Sequence, residues 1–186
     1  SNKQMNLIKT ALDGLVLLKS TIFKDNRGYF VESYNQKNIN KLIGNIKFIQ
    51  DNESMSSKGV LRGLHFQKPP HAQSKLVRCI SGEVLDVALD LRKDSKTYGM
   101  FETNLLSAKN QNQLFIPRGF AHGFVVLSQS AILSYKVDNY FNYESEGGII
   151  WNDSYLNIDW KINEREIIVS EKDKSLPSFN NFINPF

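Results

Sequence analysis

Residues 85–91 alternate without a break: Leu85, Val87, Leu89 and Leu91 fall on one side, Asp86, Ala88 and Asp90 on the other. A period of two suits a β-strand, in which successive side chains point to opposite faces. Eight further short segments, 29–34, 47–52, 61–67, 75–80, 101–106, 113–116, 123–127 and 132–137, are rich in β-branched, leucine or aromatic residues. Turn signals separate them, at Asp25-Asn26-Arg27-Gly28, Pro69-Pro70, Ser81-Gly82 and Pro117-Arg118-Gly119. Only residues 36–43 read as helix, with a second short helix expected in the tail after Asp173.

Many short strands at regular spacing predict a β-sandwich or barrel rather than βαβ units. The expectation is all-β: a cupin-like jelly-roll barrel with a few short helices. At 186 residues the chain suits a single domain spanning 1–186. Residues 1–4 read as a cloning remnant ahead of Met5. Residues 175–186 read as a C-terminal extension, loosely packed or laid on another subunit. The hydrophobic share of 41% against 23% charged excludes a disordered chain. A lone cysteine, Cys79, excludes an internal disulfide scaffold. No apolar run approaches the ~18 residues of a membrane span. The run Leu15-Val16-Leu17-Leu18 breaks at Lys19 and lacks a cleavage pattern, so the cytoplasm is the default location. The net charge is +4, and its basic residues are scattered. That pattern fits a small anionic ligand better than a nucleic acid.

Three histidines invite individual reading. In a regular strand, Arg62, Leu64 and Phe66 would face one way, and Leu61, Gly63, His65 and Gln67 the other. His65 thus shares a face with small and polar residues, which suits either a ligand or a hydrogen-bonded core histidine. His122 closes the pattern Pro117-Arg118-Gly119-Phe120-Ala121-His122, which metal cupins use to supply a ligand. Those proteins also carry two histidines one residue apart, then a glutamate. Here the first position reads His65-Phe66-Gln67, and the cation Lys75 follows. Two histidines and an ammonium make a poor divalent-metal site. His71 reads as a solvated loop residue. Arg62, His65, Lys75, His122 and Tyr135 are instead cationic or proton-transferring groups on strands. If they line one barrel, they suit an anionic substrate and proton abstraction beside a carbonyl.

Several motifs carry a resemblance. They include Asp25-Asn26-Arg27-Gly28-Tyr29-Phe30-Val31-Glu32, Gln50-Asp51-Asn52 and Leu61-Arg62-Gly63-Leu64-His65-Phe66-Gln67. Lys75-Leu76-Val77-Arg78-Cys79, Ile116-Pro117-Arg118-Gly119-Phe120-Ala121-His122-Gly123 and Ser170-Glu171-Lys172-Asp173 complete the set. In number, order and spacing they resemble the dTDP-4-dehydrorhamnose 3,5-epimerases, from about Gly14 to Lys174. The resemblance implies a jelly-roll cupin fold, no metal, no cofactor and a homodimer. It implies a dTDP-linked 4-keto-6-deoxy sugar as substrate, inverted at C3 and C5. The ketone at C4 acidifies both flanking carbons, because the carbanion delocalises onto oxygen.

By that resemblance His65 is the general base and Asp173 the carboxylate that orients it. Lys75 is the cation near the C4 oxygen, and Tyr135 the acid that reprotonates the opposite face. Arg62 contacts the diphosphate, and His122 lies beside the sugar. Arg27 and Glu32 reach the nucleotide from a partner subunit. Gln50 and Asn52 line the same region, and Tyr140 and Glu146 complete the substrate-binding set. The chain departs from the family at Asn139-Tyr140-Phe141-Asn142-Tyr143, where relatives read Asn-Tyr-Tyr-Asn-Pro. The missing hydroxyl at Phe141 removes one nucleotide or diphosphate contact. Three alternatives stand beside this reading. They are an epimerase of one carbon or of another nucleotide-linked 4-keto sugar, a metal-dependent cupin enzyme, and a sugar-nucleotide-binding protein without turnover.

Overall fold

The structure, a computed structural model, describes residues 5–186; the expected remnant at 1–4 lies outside the described residues. Thirteen strands occur among the described residues. In chain order they are β1 (Met5–Lys9), β2 (Val16–Ser20), β3 (Ile22–Asp25), β4 (Gly28–Val31), β5 (Gln50–Ser57), β6 (Leu61–Gln67) and β7 (Lys75–Ser81). Then follow β8 (Glu83–Asp90), β9 (Phe101–Ser107), β10 (Gln113–Ile116), β11 (Phe120–Val126), β12 (Ser130–Val137) and β13 (Glu146–Gly148). Two α-helices, α1 (Gln36–Ile43) and α2 (Glu171–Lys174), accompany them. The strands form a six-stranded sheet in the order β1-β2-β10-β7-β12-β5 and a five-stranded sheet in the order β13-β6-β11-β8-β9. Strands β3 and β4 make a separate hairpin. The all-β jelly-roll expectation holds, with the barrel built as two facing sheets rather than a continuously hydrogen-bonded ring.

Alternation explains what lies between the sheets. Val77, Cys79, Leu114, Ile116, Ala131 and Leu133 from one sheet meet Val84, Ala88, Leu106, Phe120, Phe124 and Val126 from the other. Followed along the same inner faces, the pattern turns polar. Lys75 precedes Val77 by two residues, Tyr135 follows Leu133, His122 precedes Phe124, and Asp86 stands between Val84 and Ala88. Apolar burial at one end of the space between the sheets thus fixes the aim of polar side chains at the other.

The outer faces are covered by local elements. Helix α1 starts at Asn35, whose side chain accepts the Asn38 N–H at 3.1 Å. It places Ile39 on Val16, Leu18, Leu76 and Phe115 of the six-stranded sheet. The five-stranded sheet is covered by the chain after β13, with Ile149, Leu156, Trp160 and Val169 buried on Leu64, Leu85, Leu89 and Val125. The tail expected to be loose packs here too. Phe182 and Phe186 set their rings edge-on to Phe66, at 6.2 and 5.5 Å between centroids. Three phenylalanines at 179, 182 and 186 outweigh the two prolines that suggested an arm, because each can bury a large apolar area. Among the described residues no helix is long and apolar enough to cross a membrane.

Candidate active site

A cavity of about 540 Å³ opens at the polar end of the space between the sheets. Its walls include Arg62 and His65 of β6, Lys75 of β7, His122 of β11, Tyr135 of β12, and Lys172 and Asp173 of α2. All four residues expected to do chemistry, and two of those expected to bind, therefore line one space.

Arg62 and His65 reach the same cavity although simple alternation assigns them to opposite faces. The cause is a bulge: His65 pairs with His122 and Arg62 with Phe124, so β6 carries one more residue than β11 between those pairs. The extra residue resets the phase. Gly63 sits at the bulge with φ +120°, and a Cβ there would stand 2.7 Å from Gly123 Cα and from the His122 carbonyl oxygen. Only glycine fits that position.

Asp173 arrives from far along the chain. Ile168 lies beside the start of β6, donating to the Gly59 carbonyl and accepting from Leu61 N–H, both at 2.9 Å. Ser170 then caps α2, its Oγ accepting the Asp173 N–H at 3.2 Å. The helix expected after Asp173 thus includes it. Asp173 Oδ1 lies 2.6 Å from His65 Nε2, and Oδ2 accepts the Gly63 N–H at 3.0 Å. Burial alone would push this carboxyl's pKa up, but the hydrogen bonds from His65 and Gly63 outweigh it and hold it below the usual range. An ionised Asp173 fixes the proton on His65 Nε2 and leaves Nδ1 with the lone pair.

A second histidine–carboxylate pair stands beside the first, on the neighbouring strands of the same sheet. His122 Nε2 lies 2.5 Å from Asp86 Oδ2, and both residues are buried. Desolvation, with smaller effects of Lys75 and His65, keeps the His122 pKa below its ordinary value despite Asp86. Among the described residues Asp86 Oδ1 has no hydrogen-bond partner. Desolvation also pulls Lys75 down to about 8, against the opposing pull of Asp86 and Glu146. Its Nζ stands 5.7 Å from the centre of the Tyr135 ring. Burial raises the Tyr135 phenol, more than its hydrogen bond with Asn52 and the nearby Arg62 lower it. Tyr135 therefore stays protonated and able to donate at neutral pH.

The remaining expected residues are placed less centrally. Asn52 pairs with Tyr135 across β5 and β12, and Gln50 donates to Asn52 Oδ1 at 2.9 Å. Glu146 holds Lys172 Nζ at 2.5 Å on the cavity's rim. Tyr140 is exposed, and its carbonyl accepts from Gln67. Arg27 and Glu32 are not among the cavity's walls. Arg27 is exposed in the β3–β4 turn on Asp25, and Glu32 accepts from Asn38. Reading the sequence missed Ser54, Ser56, Asp86 and Lys172. The signal for Asp86 was present: a carboxylate in mid-strand, between Val84 and Ala88 on the inner face. Among the described residues no three His, Cys, Asp or Glu side chains gather as a metal-holding group.

Such a cavity can move protons. A neutral imidazole backed by a carboxylate accepts one, a phenol on the facing sheet returns one, and an ammonium steadies the charge formed between. That is the equipment of an isomerase working by acid–base exchange, and the chain is an epimerase of this class. Comparison with known proteins makes the class particular. The family model described as dTDP-4-dehydrorhamnose 3,5-epimerase matches residues 9–181, and the chain belongs to that family. It is 51% identical over 174 residues to the dTDP-4-dehydrorhamnose 3,5-epimerase of Salmonella typhimurium, covering 93% of this chain and 94% of that one. The solved structure of the Elizabethkingia anophelis dTDP-4-dehydrorhamnose 3,5-epimerase superposes with a TM-score of 0.91 at 54% identity, over 96% of this chain and 98% of that one. A Legionella pneumophila dTDP-6-deoxy-D-glucose-3,5-epimerase, solved with dTDP-4-keto-L-rhamnose, gives 0.92 at 44% identity, over 96% and 95%.

Proposed function

We propose that this epimerase inverts C3 and C5 of dTDP-4-dehydro-6-deoxy-D-glucose, without a metal, in the making of dTDP-L-rhamnose. The observation that carries the reading is the convergence of the His65–Asp173 pair and Tyr135, from opposite sheets, on one cavity that also holds Lys75. His65 Nδ1 takes the proton, Lys75 stabilises the enolate oxygen, and Tyr135 delivers a proton from across the ring. Arg62 holds the diphosphate. Metal independence is supported by the donor set: the cavity's two histidines, with the ammonium of Lys75 beside them, are too few ligands and the wrong charge for a divalent ion.

Two further readings belong to the same proposal. The protein works in the cytoplasm, where sugar nucleotides are made and used. It works as a homodimer, in which the β3–β4 hairpin, with exposed Phe23, Tyr29 and Phe30, lies on a second copy and brings Arg27 and Glu32 to that copy's nucleotide. The decisive experiment incubates the protein with dTDP-4-dehydro-6-deoxyglucose in deuterated water. Deuterium at both C3 and C5, unaffected by chelator, is the expected result. Label at one carbon alone would make it a single-carbon epimerase, and chelator sensitivity would make it a metal enzyme. A mass of one protomer by light scattering would refute the dimer.

A further inference from the structure

Arg62 lines the cavity, and among the described residues no carboxylate forms an ion pair with it. Its Nε and Nη2 both donate to one atom, the Ser56 hydroxyl oxygen, at 3.1 Å each. Ser56 is only 5% exposed and is held in β5 opposite Ala131 of β12. The five N–H donors of a guanidinium lie in one plane. Two of them on a single fixed oxygen set that plane and leave the outer edge of the fork free. The choice of acceptor matters. A carboxylate at this place would hold the fork more tightly but would cancel the charge an anionic ligand needs. A hydroxyl orients the fork and leaves its charge intact. Ordering the long side chain before the ligand arrives also lowers the entropy lost on binding.

We infer that Ser56 is a positioning residue for the diphosphate: it presents the outer edge of Arg62, fully charged, to the two phosphates. This rests on the reading that the cavity takes a dTDP-linked sugar. The test compares wild type, Ser56→Ala and Ser56→Asp by calorimetric titration with dTDP and by steady-state kinetics. The alanine variant is expected to bind dTDP five- to tenfold more weakly and to raise KM in proportion, with kcat within twofold of wild type. The aspartate variant holds Arg62 in place but neutralises it, and is expected to bind dTDP more weakly still. Its expected folding with an Arg62 partner keeps the test open should the alanine variant fail to fold. Unchanged dTDP affinity in either variant overturns the inference, as does a kcat that falls as far as KM rises. A wild-type protein that neither binds dTDP nor turns the sugar over would instead overturn the reading beneath it.

Discussion

Asp173→Asn is the most discriminating change at the proposed base, because Asp173 uses both oxygens as acceptors. One faces His65 Nε2 at 2.6 Å and the other the Gly63 N–H at 3.0 Å. An amide has one acceptor and one donor, so each orientation fails. With its oxygen toward Gly63, its NH₂ meets Nε2, which must then accept, and the proton moves to Nδ1, where the lone pair is needed. With its oxygen toward His65, the NH₂ opposes the Gly63 N–H. A buried donor without a partner costs about 1–3 kcal/mol, and Asp173 is 4% exposed. Losing the charge on the acceptor removes about 1 kcal/mol more of support for the imidazolium. Together these raise the barrier by about 2–4 kcal/mol, so kcat falls about 30- to 1,000-fold. KM changes little, since Asp173 holds no phosphate in the proposed complex. Initial rates of deuterium uptake from D₂O, read by mass spectrometry, measure the effect. A variant within threefold of wild type would refute the orienting role.

Three more outcomes follow from the same geometry. Lys75 must be charged to steady an enolate, and its pKa is lowered to about 8, so kcat should fall as pH rises through 8; Tyr135, with its pKa raised, does not titrate there. Lys75→Arg should abolish that alkaline limb, and a limb that persists would assign it elsewhere. Tyr135→Phe should still wash deuterium into the substrate while yielding little product inverted at C5; unchanged yield by NMR would remove Tyr135 as the acid. Asp90 is fully buried and, against the upward push of burial, is held below the usual carboxylate range by Arg92, Ser95 and Thr97. Its stabilisation is present above the unfolded pKa of about 3.9 and is lost as pH falls through the lower folded value. Asp90→Asn should therefore cost about 2–3 kcal/mol at pH 7 and distinctly less near pH 3 in urea melts, and an equal cost at both would contradict this.

How much of this was legible in the sequence depended on which way polar residues pointed. Strands β6 and β10 and helix α1 have the limits their patterns predict. Strand β5 does not: it was expected at 47–52 and runs Gln50–Ser57. Its inward residues, Asn52, Ser54 and Ser56, face a cavity rather than a core, so the apolar half of the alternation is missing. Strand β2 was not read as a strand, because Leu15 to Leu18 form an unbroken apolar run without alternation. The face of Arg62 was misassigned because the bulge that resets it lies in the pairing of β6 with β11, and only Gly63 hints at it locally. His65 and Asp173 lie 108 residues apart. No periodicity links them, and their pairing was accessible only through the family resemblance.

The walls of the cavity also bear on how many bases the proposed reaction needs. His65 stands on the five-stranded sheet, whereas Tyr135 and Lys75 stand on the six-stranded one. A sugar lying between the sheets would meet the proposed base on one face and the proposed acid on the other, which inversion requires. In the gluco ring the hydrogens at C3 and C5 are both axial on the same face and flank C4 symmetrically. One base below C4 could therefore reach both if the ring only rocks about the C4–oxygen bond while Lys75, in the proposed role, keeps hold of that oxygen, since a half-turn would carry the second hydrogen to the opposite face. The prediction is that His65→Ala abolishes deuterium uptake at C3 and C5 together. The His122–Asp86 pair supplies the contrary outcome, being the other imidazole–carboxylate pair on the cavity's wall. Exchange that survives at one carbon in His65→Ala, and is lost when His122→Asn is added, would mean two bases and would refute the single-base scheme.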